Sequence, residues 1–289
     1  MKLVLGTAQF GMQYGISNKT GQVADANLDA IVKNFRSNGN NTFDTARAYG
    51  NSEQRISRVL VQSDSVTSKI PPNLKKDNYE DWFNQNLFCT LQALDRSSIE
   101  TLVYHRSADL LSTPKNFLER RVKALKAEGV ISKFGVSVYE KEELNRVLSH
   151  TSVDFVQFPL NLFDRTFLQG DYLHELKSRG LTLEVRSIFL QGLLLMSVSD
   201  LPRQFNPWIA KFKEFDHLLS EFKSFTRLAA CIGFIRSIVE IDRVVFGVQQ
   251  KDELDQIMQA FKKPKLQLYP DIASTDPQLI NPSLWSDGV

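Results

Sequence analysis

Short runs of β-branched and apolar residues alternate along the chain with longer stretches whose apolar positions recur at helical spacing. The runs Leu3–Thr7, Thr42–Thr45, Val66–Ile70, Ile99–His105, Lys133–Val138, Phe155–Leu160, Thr182–Ile188 and Arg243–Val248 read as eight strands. Between and after them, Ala24–Arg36, Ser52–Val61, Tyr79–Leu94, Pro114–Glu128, Lys141–Leu148, Asp171–Ser178, Phe212–Val239 and Asp252–Phe261 read as helices. Pro114 suits a first helical turn, Gly129 and Gly180 suit C-terminal stops, and Asn51-Ser52-Glu53 offers capping groups. Eight successive βα units predict a closed (β/α)8 TIM barrel rather than a doubly wound sheet. Leu5-Gly6-Thr7-Ala8-Gln9-Phe10-Gly11 after the first strand lacks the second half of a dinucleotide-binding glycine fingerprint, which weakens the doubly wound alternative. No Pro-, Gly- or Ser-rich linker divides the chain, so residues 1–289 read as one barrel domain, with 264–289, carrying four prolines, as an irregular C-terminal segment.

Composition narrows the classes of partner. Thirty-five Lys and Arg against 33 Asp and Glu give a net charge of +2, and the basic residues are scattered, which predicts binding to neither nucleic acid nor an anionic membrane surface. The longest apolar run, Phe189–Met196, falls far short of a membrane span, and the apolar part of Met1–Leu5 is too short for a signal peptide, so a cytoplasmic location is expected. Cys89 and Cys231 lie inside helical patterns and read as buried thiols. The four histidines lack metal-ligand spacing, and no metal site is expected.

Barrel chemistry gathers where the strands end, because the βα loops open on one face. There the sequence offers Asp44 and Tyr49 after the second strand, Lys69 near the end of the third and His105 at the end of the fourth. A phenol ordinarily titrates near ~10, and a neighbouring ammonium lowers that value. Asp44 would keep Lys69 charged and oriented, and His105 would hydrogen-bond a substrate carbonyl oxygen and set its angle. Singly, each residue is more simply a surface charge or a packing ring; together they suit carbonyl reduction. Arg106, beside His105, is the competing polar contact on the fourth strand. Trp82, Phe83, Leu87 and Leu91 recur at helical spacing and read as core, while Phe205 and Trp208 read either as pocket lining or as loop anchors.

Phe43-Asp44-Thr45-Ala46 followed by Tyr49-Gly50, then Ser68-Lys69, then Tyr104-His105-Arg106 resembles the catalytic set of the aldo-keto reductases. Leu5-Gly6-Thr7, Gly135-Val136-Ser137, Gln157 with Asn161 and Gly192-Leu193-Leu194 extend the resemblance over nearly the whole chain. It implies a barrel that binds a nicotinamide dinucleotide, NADP or NAD, across its mouth. It implies Tyr49 as general acid, with Lys69 and Asp44 tuning it and His105 positioning the substrate. Cofactor contacts carry over to Gly6 and Thr7, to Ser137 and Gln157 at the carboxamide, to Arg186 and Ser187, and to Gly247, Gln249 and Glu253. The chain departs from the family where Val138 follows Ser137 in place of an asparagine, and where Arg186 replaces a ring-stacking tyrosine.

In Val245-Phe246-Gly247-Val248-Gln249-Gln250-Lys251-Asp252-Glu253-Leu254 the resemblance places Glu253, with Asp252 beside it, where many members bind the 2′-phosphate of NADP through a basic residue. Carboxylates there would repel the phosphate and accept from free ribose hydroxyls. Lys251 and the helix N-terminus act in the opposite sense. On balance NADP is not strongly preferred and NAD is accepted. Arg47, Arg106 and Arg186 near strand ends point to an anionic or sugar-linked small-molecule carbonyl substrate. Two other classes stand beside this reading: a non-catalytic dinucleotide-binding barrel acting as a sensor or regulatory subunit, and a lyase using Lys69 as a Schiff-base amine.

Overall fold

The computed structural model describes residues 1–75, 77–221, 225–263 and 271–285. Its strands are β1 (Lys2–Gly6), β2 (Thr42–Asp44), β3 (Ser65–Ile70), β4 (Ile99–Tyr104), β5 (Ile131–Ser137), β6 (Phe155–Pro159), β7 (Thr182–Arg186) and β8 (Arg243–Phe246). They form a closed barrel in sequence order. All pairs are parallel, and β8 returns to β1 with Lys2 opposite Arg243 and Leu5 opposite Phe246. Each of the eight falls within or beside a run expected to be a strand.

The alternation of side chains along these strands divides two environments. Phe43, Val66, Ile70, Leu102, Tyr104, Phe134, Val136, Val156, Phe158, Leu183, Val185, Val244 and Phe246 are buried and belong to the apolar core. They meet the surrounding helices, as in the edge-on packing of Phe35 on Phe43 and the tilted contact of Phe83 with Tyr104. The alternate positions hold Asp44, Thr67, Lys69, Thr101, Gln157, Glu184 and Arg243, all buried. A barrel interior is ordinarily filled by branched aliphatic residues. Here its filling is largely polar, and those side chains must satisfy one another.

Helices follow most strands. The principal ones are Asp25–Ser37, Ser52–Ser57, Tyr79–Ala93, Lys115–Ala127, Lys141–His150, Tyr172–Ser178, Ile209–Glu221, Arg227–Ser237 and Lys251–Ala260. Gly129 and Gly180 stop their helices at φ +70 and +80, and Pro114 stands at the N-cap with the helix starting one residue later. Asn51 does not cap with its side chain but accepts from Gln22 at 2.7 Å, while Ser52 donates to the Thr7 carbonyl at 2.8 Å.

Two expectations need correction, the single helix over Phe212–Val239 and the burial of Cys89. The Phe212–Val239 region is two helices, because Thr226 caps a fresh start by accepting from the Ala229 amide at 3.2 Å. The irregular C-terminal segment lies partly outside the described residues, at 264–270 and 286–289. Its described part holds the helical turns Pro277–Ile280 and Pro282–Leu284, each started by a proline and an Asx cap. Cys89 is half-buried, and only Cys231 is buried. Phe205 and Trp208 are anchors: Phe205 packs on Trp285 at 5.0 Å and Trp208 donates to Asp276 at 3.1 Å, tying the β7 loop to the C-terminal segment. Among the described residues no helix is long and apolar enough to cross a membrane, and no group of three His, Cys, Asp or Glu is arranged to hold a metal ion.

Candidate active site

Tyr49 stands on the loop after β2, and that loop is held by an approach of two glycines. A Cβ on Gly11 would lie 1.8 Å from the Tyr49 carbonyl, and one on Gly50, at φ +57, would lie 2.3 Å from the Gly11 carbonyl. Only glycine allows this contact on both sides, and it fixes the phenol over the mouth of the barrel. Beneath it, Lys69 extends from β3 and is 1 % exposed. Its ammonium donates to both oxygens of Asp44 at 2.5 and 2.6 Å, to the Thr45 carbonyl at 3.2 Å and to the Tyr49 hydroxyl at 3.4 Å. Asp44 is equally buried, so the two charges compensate each other away from water.

Burial pushes the Tyr49 phenol well above the ordinary tyrosine range, Asp44 adds to the shift, and Arg186 opposes it. Lys69 was expected to bring this phenol down. Its charge is instead spent on Asp44 at the shorter distance, leaving the hydroxyl a third-rank partner. The phenol is therefore held protonated. His105 follows β4 directly, with its ring 5.7 Å from that of Tyr49 and edge-on to it. Burial first, then Lys69, Arg186 and Arg106, push its imidazole down to about 3, so the ring is neutral near pH 7. Its Nδ1 is buried and has no hydrogen-bond partner among the described residues.

A cavity opens above these residues. It runs from Asp44, Tyr49, Gln157 and Arg186, past the ends of β1 and β8, to Glu253 and Ile257 on the helix Lys251–Ala260. Gly6, Thr7, Ser187, Gly247 and Gln249 line it as expected. Lys69 stands behind Asp44 rather than in the cavity wall, which removes the free amine that a Schiff-base lyase would need. His105 flanks Tyr49 without lining the cavity, and neither does Ser137 line it. The segment after the first helical turn spans the opening: Ser17 donates to the Gln191 carbonyl at 3.4 Å and Thr20 to Gln249 at 2.7 Å.

The three arginines separate. Arg47 pairs with Glu53 at 3.6 Å and Arg106 with Asp109 at 2.9 Å, so both are engaged at home. Arg186 lines the cavity, stacks its guanidinium 4.2 Å from the Tyr139 ring centre, and donates to the Val138 carbonyl at 3.3 Å. It forms no ion pair with a carboxylate among the described residues. At the far end, Glu253 accepts from the Gln249 amide at 2.7 Å, whereas Lys251 is bound to Asp255 at 2.7 Å and does not line the cavity.

Sequence reading missed Tyr14, Tyr139 and Glu184. Tyr14 lines the cavity 6.5 Å from Tyr49 and could have been sought in the first βα loop. Glu184 carried a signal, since Leu183-Glu184-Val185-Arg186 puts a charge at an alternate position of a strand buried on both faces.

The model of the aldo/keto reductase family matches residues 2–269. This chain belongs to the aldo/keto reductase family. A holo aldo-keto reductase from Bacillus halodurans superposes with a TM-score of 0.73 at 18% identity, covering 92% of this chain and 88% of that one. A glycerol dehydrogenase from Gluconobacter oxydans gives 0.70 at 20% identity, over 92% and 87%. At such identity the likeness speaks for the fold. No curated protein matches by sequence. Aldo/keto reductases are oxidoreductases that use nicotinamide cofactors on small carbonyl compounds, and the site fits such a cofactor on its own geometry. The cavity is elongated, and Gln157 places a buried carbonyl oxygen with no partner among the described residues at the end beside Tyr49.

Proposed function

We propose that this aldo/keto reductase reduces an aldehyde or ketone to an alcohol, with Tyr49 as the proton donor. The arrangement that carries the reading is the Tyr49 hydroxyl at the cavity wall, 3.4 Å from an ammonium locked between both oxygens of Asp44. A bound reduced nicotinamide dinucleotide supplies the hydride. The residues supply the rest. Tyr49 gives its proton to the carbonyl oxygen as negative charge develops there, and the Arg186 guanidinium, with the Lys69 ammonium 3.4 Å from the hydroxyl adding what Asp44 leaves of its charge, offsets the tyrosinate left behind. Neutral His105, edge-on against the Tyr49 ring and outside the cavity wall, helps position the substrate by holding that ring in place. Gln157 Oε1 accepts from the carboxamide, and Gly6, Thr7, Ser187, Gly247 and Gln249 line the groove that holds the remainder.

Arg186 suits an anionic or sugar-linked substrate, since it is the one member of the three arginines left to face a ligand. Glu253 in the groove and Lys251 turned to Asp255 favour acceptance of NAD over a strong preference for NADP. A panel of neutral and anionic carbonyl compounds, tested with NADH and NADPH at the nicotinamide absorbance, decides the reading. Turnover that survives Tyr49→Phe contradicts it, because removing a general acid costs about a hundredfold or more. NADPH binding more than about tenfold tighter than NADH contradicts the role of Glu253.

A further inference from the structure

Behind Tyr49 the barrel holds a carboxyl group that the proposed chemistry does not use. Glu184 on β7 is fully buried. Gln157 Nε2 donates to Glu184 Oε1 at 2.7 Å and to Asp44 Oδ2 at 3.0 Å, so a single amide bridges two carboxyl groups. Asp44 in turn grips Lys69. Glu184 Oε2 and Gln157 Oε1 have no hydrogen-bond partner among the described residues. The charged groups facing Glu184 are Asp44 from β2, Lys69 from β3 and Arg243 from β8, with the neutral Gln157 from β6. Arg243 is shared with Glu100 of β4, its Nη1 donating to Oε2 at 3.1 Å.

Charge balance decides what Glu184 does. With Glu184 neutral, Asp44 and Lys69 cancel. With Glu184 ionised, the inner cluster gains an anion that nothing nearby fully offsets, since Arg243 already serves Glu100. We propose that Glu184 is a positioning residue of the carbonyl-reducing site: it fixes the orientation of Gln157 and, as a neutral acid, keeps the cluster in the charge state in which Tyr49 can release its proton. The inference rests on the reductase reading above. Orientation follows from the bridge, because both N–H groups of Gln157 face carboxyl oxygens and only its carbonyl is left for a ligand. The effect on the donor follows from Coulomb interaction, because an anion at Glu184 raises the cost of the tyrosinate that forms as the proton leaves. Burial, with Asp44 adding, pushes Glu184 up to about 8, while Gln157, Lys69 and Arg243 pull the other way. Reduction therefore declines as pH rises through about 8.

Glu184→Gln is the test, since it keeps the shape and an accepting oxygen but cannot ionise. In apoprotein carrying 13C-labelled glutamate carboxyl groups, one resonance titrates near pH 8 in the wild type and is missing from E184Q. In single-turnover reduction of a carbonyl compound by the cofactor-loaded protein, the wild-type alkaline limb near pH 8 is lost in E184Q. A buried acid that merely fills space would change stability and leave the limb in place. An alkaline limb unchanged in E184Q, or no glutamate titrating above about pH 6, overturns the proposal. If the wild type reduces no carbonyl compound, the functional reading fails instead, and the titration, which needs no substrate, tells the two failures apart.

Discussion

A fully buried ammonium survives only where a counter-charge meets it, and Lys69 has both oxygens of Asp44. Asp44→Asn leaves that ammonium uncompensated and is expected to cost about 3–5 kcal/mol in a denaturant titration. Adding Lys69→Met should recover much of the loss, and a double variant no more stable than the single one speaks against this account. Arg186 is expected to act on affinity rather than on folding, because its ring contact with Tyr139 and its carbonyl bond leave it free to meet an anion. Arg186→Met should weaken kcat/KM for a carboxylate- or phosphate-bearing carbonyl compound by about 10- to 100-fold, and change it little for a neutral one, in line with a charged hydrogen bond of ~1.5–3 kcal/mol. Equal losses for both would make Arg186 structural. The catalytic candidates were legible from residue type and strand position. What was not read was how each charge is spent: Arg106 with Asp109 and Lys251 with Asp255 stand at i,i+3 and i,i+4, a signal the spacing carried, whereas Arg47 with Glu53 depends on how the loop after β2 turns.

Among elements, all eight strands were legible because each is a short apolar run bounded by turns. Helix ends were less so. The fresh helix start after Thr226 is hidden by a hydrophobic pattern that continues across it in the sequence. Ser137 sits at the expected strand end, in register with Gln157, but does not line the cavity, since a strand position fixes the inward parity and not the depth. The Gly11–Gly50 approach went unread because neither glycine belongs to a turn signature. It makes the β1 and β2 loops a single support for Tyr49. Gly11→Ala must push backbone apart, as its Cβ would fall 1.8 Å from the Tyr49 carbonyl. We expect this variant to lose about 100-fold in kcat, the scale of a displaced reacting group. Its melting temperature and cofactor affinity should change far less, as checked by calorimetry and fluorescence titration; wild-type kcat would show that the loops are independent.

For the molecule as a whole, two buried groups give stability opposite dependences on pH. Glu184 is raised in the fold to about 8, above its unfolded value, so the folded state holds its proton longer. Its contribution is complete below about pH 4.3 and is lost as pH rises through the folded value. His105 is depressed to about 3, so its contribution is present above the unfolded value and is lost as pH falls from about 6.5. Between about pH 4.3 and 6.5 the two slopes oppose, and from about 6.5 to 8 only the decline from Glu184 remains. Melting curves across this range should show E184Q more stable than the wild type near pH 8 and the difference shrinking toward pH 5; a constant difference would contradict the assignment. The closed order of the sheet has a further consequence for how the chain is made. β1 finds its second neighbour only in β8, more than 200 residues later. While synthesis is between them, the growing chain carries two open sheet edges, at β1 and at the newest strand, and neither can be sealed locally. A nascent chain stalled before Arg243 thus exposes unpaired strand edges, and its tendency to aggregate persists until Arg243–Phe246 can pair with β1.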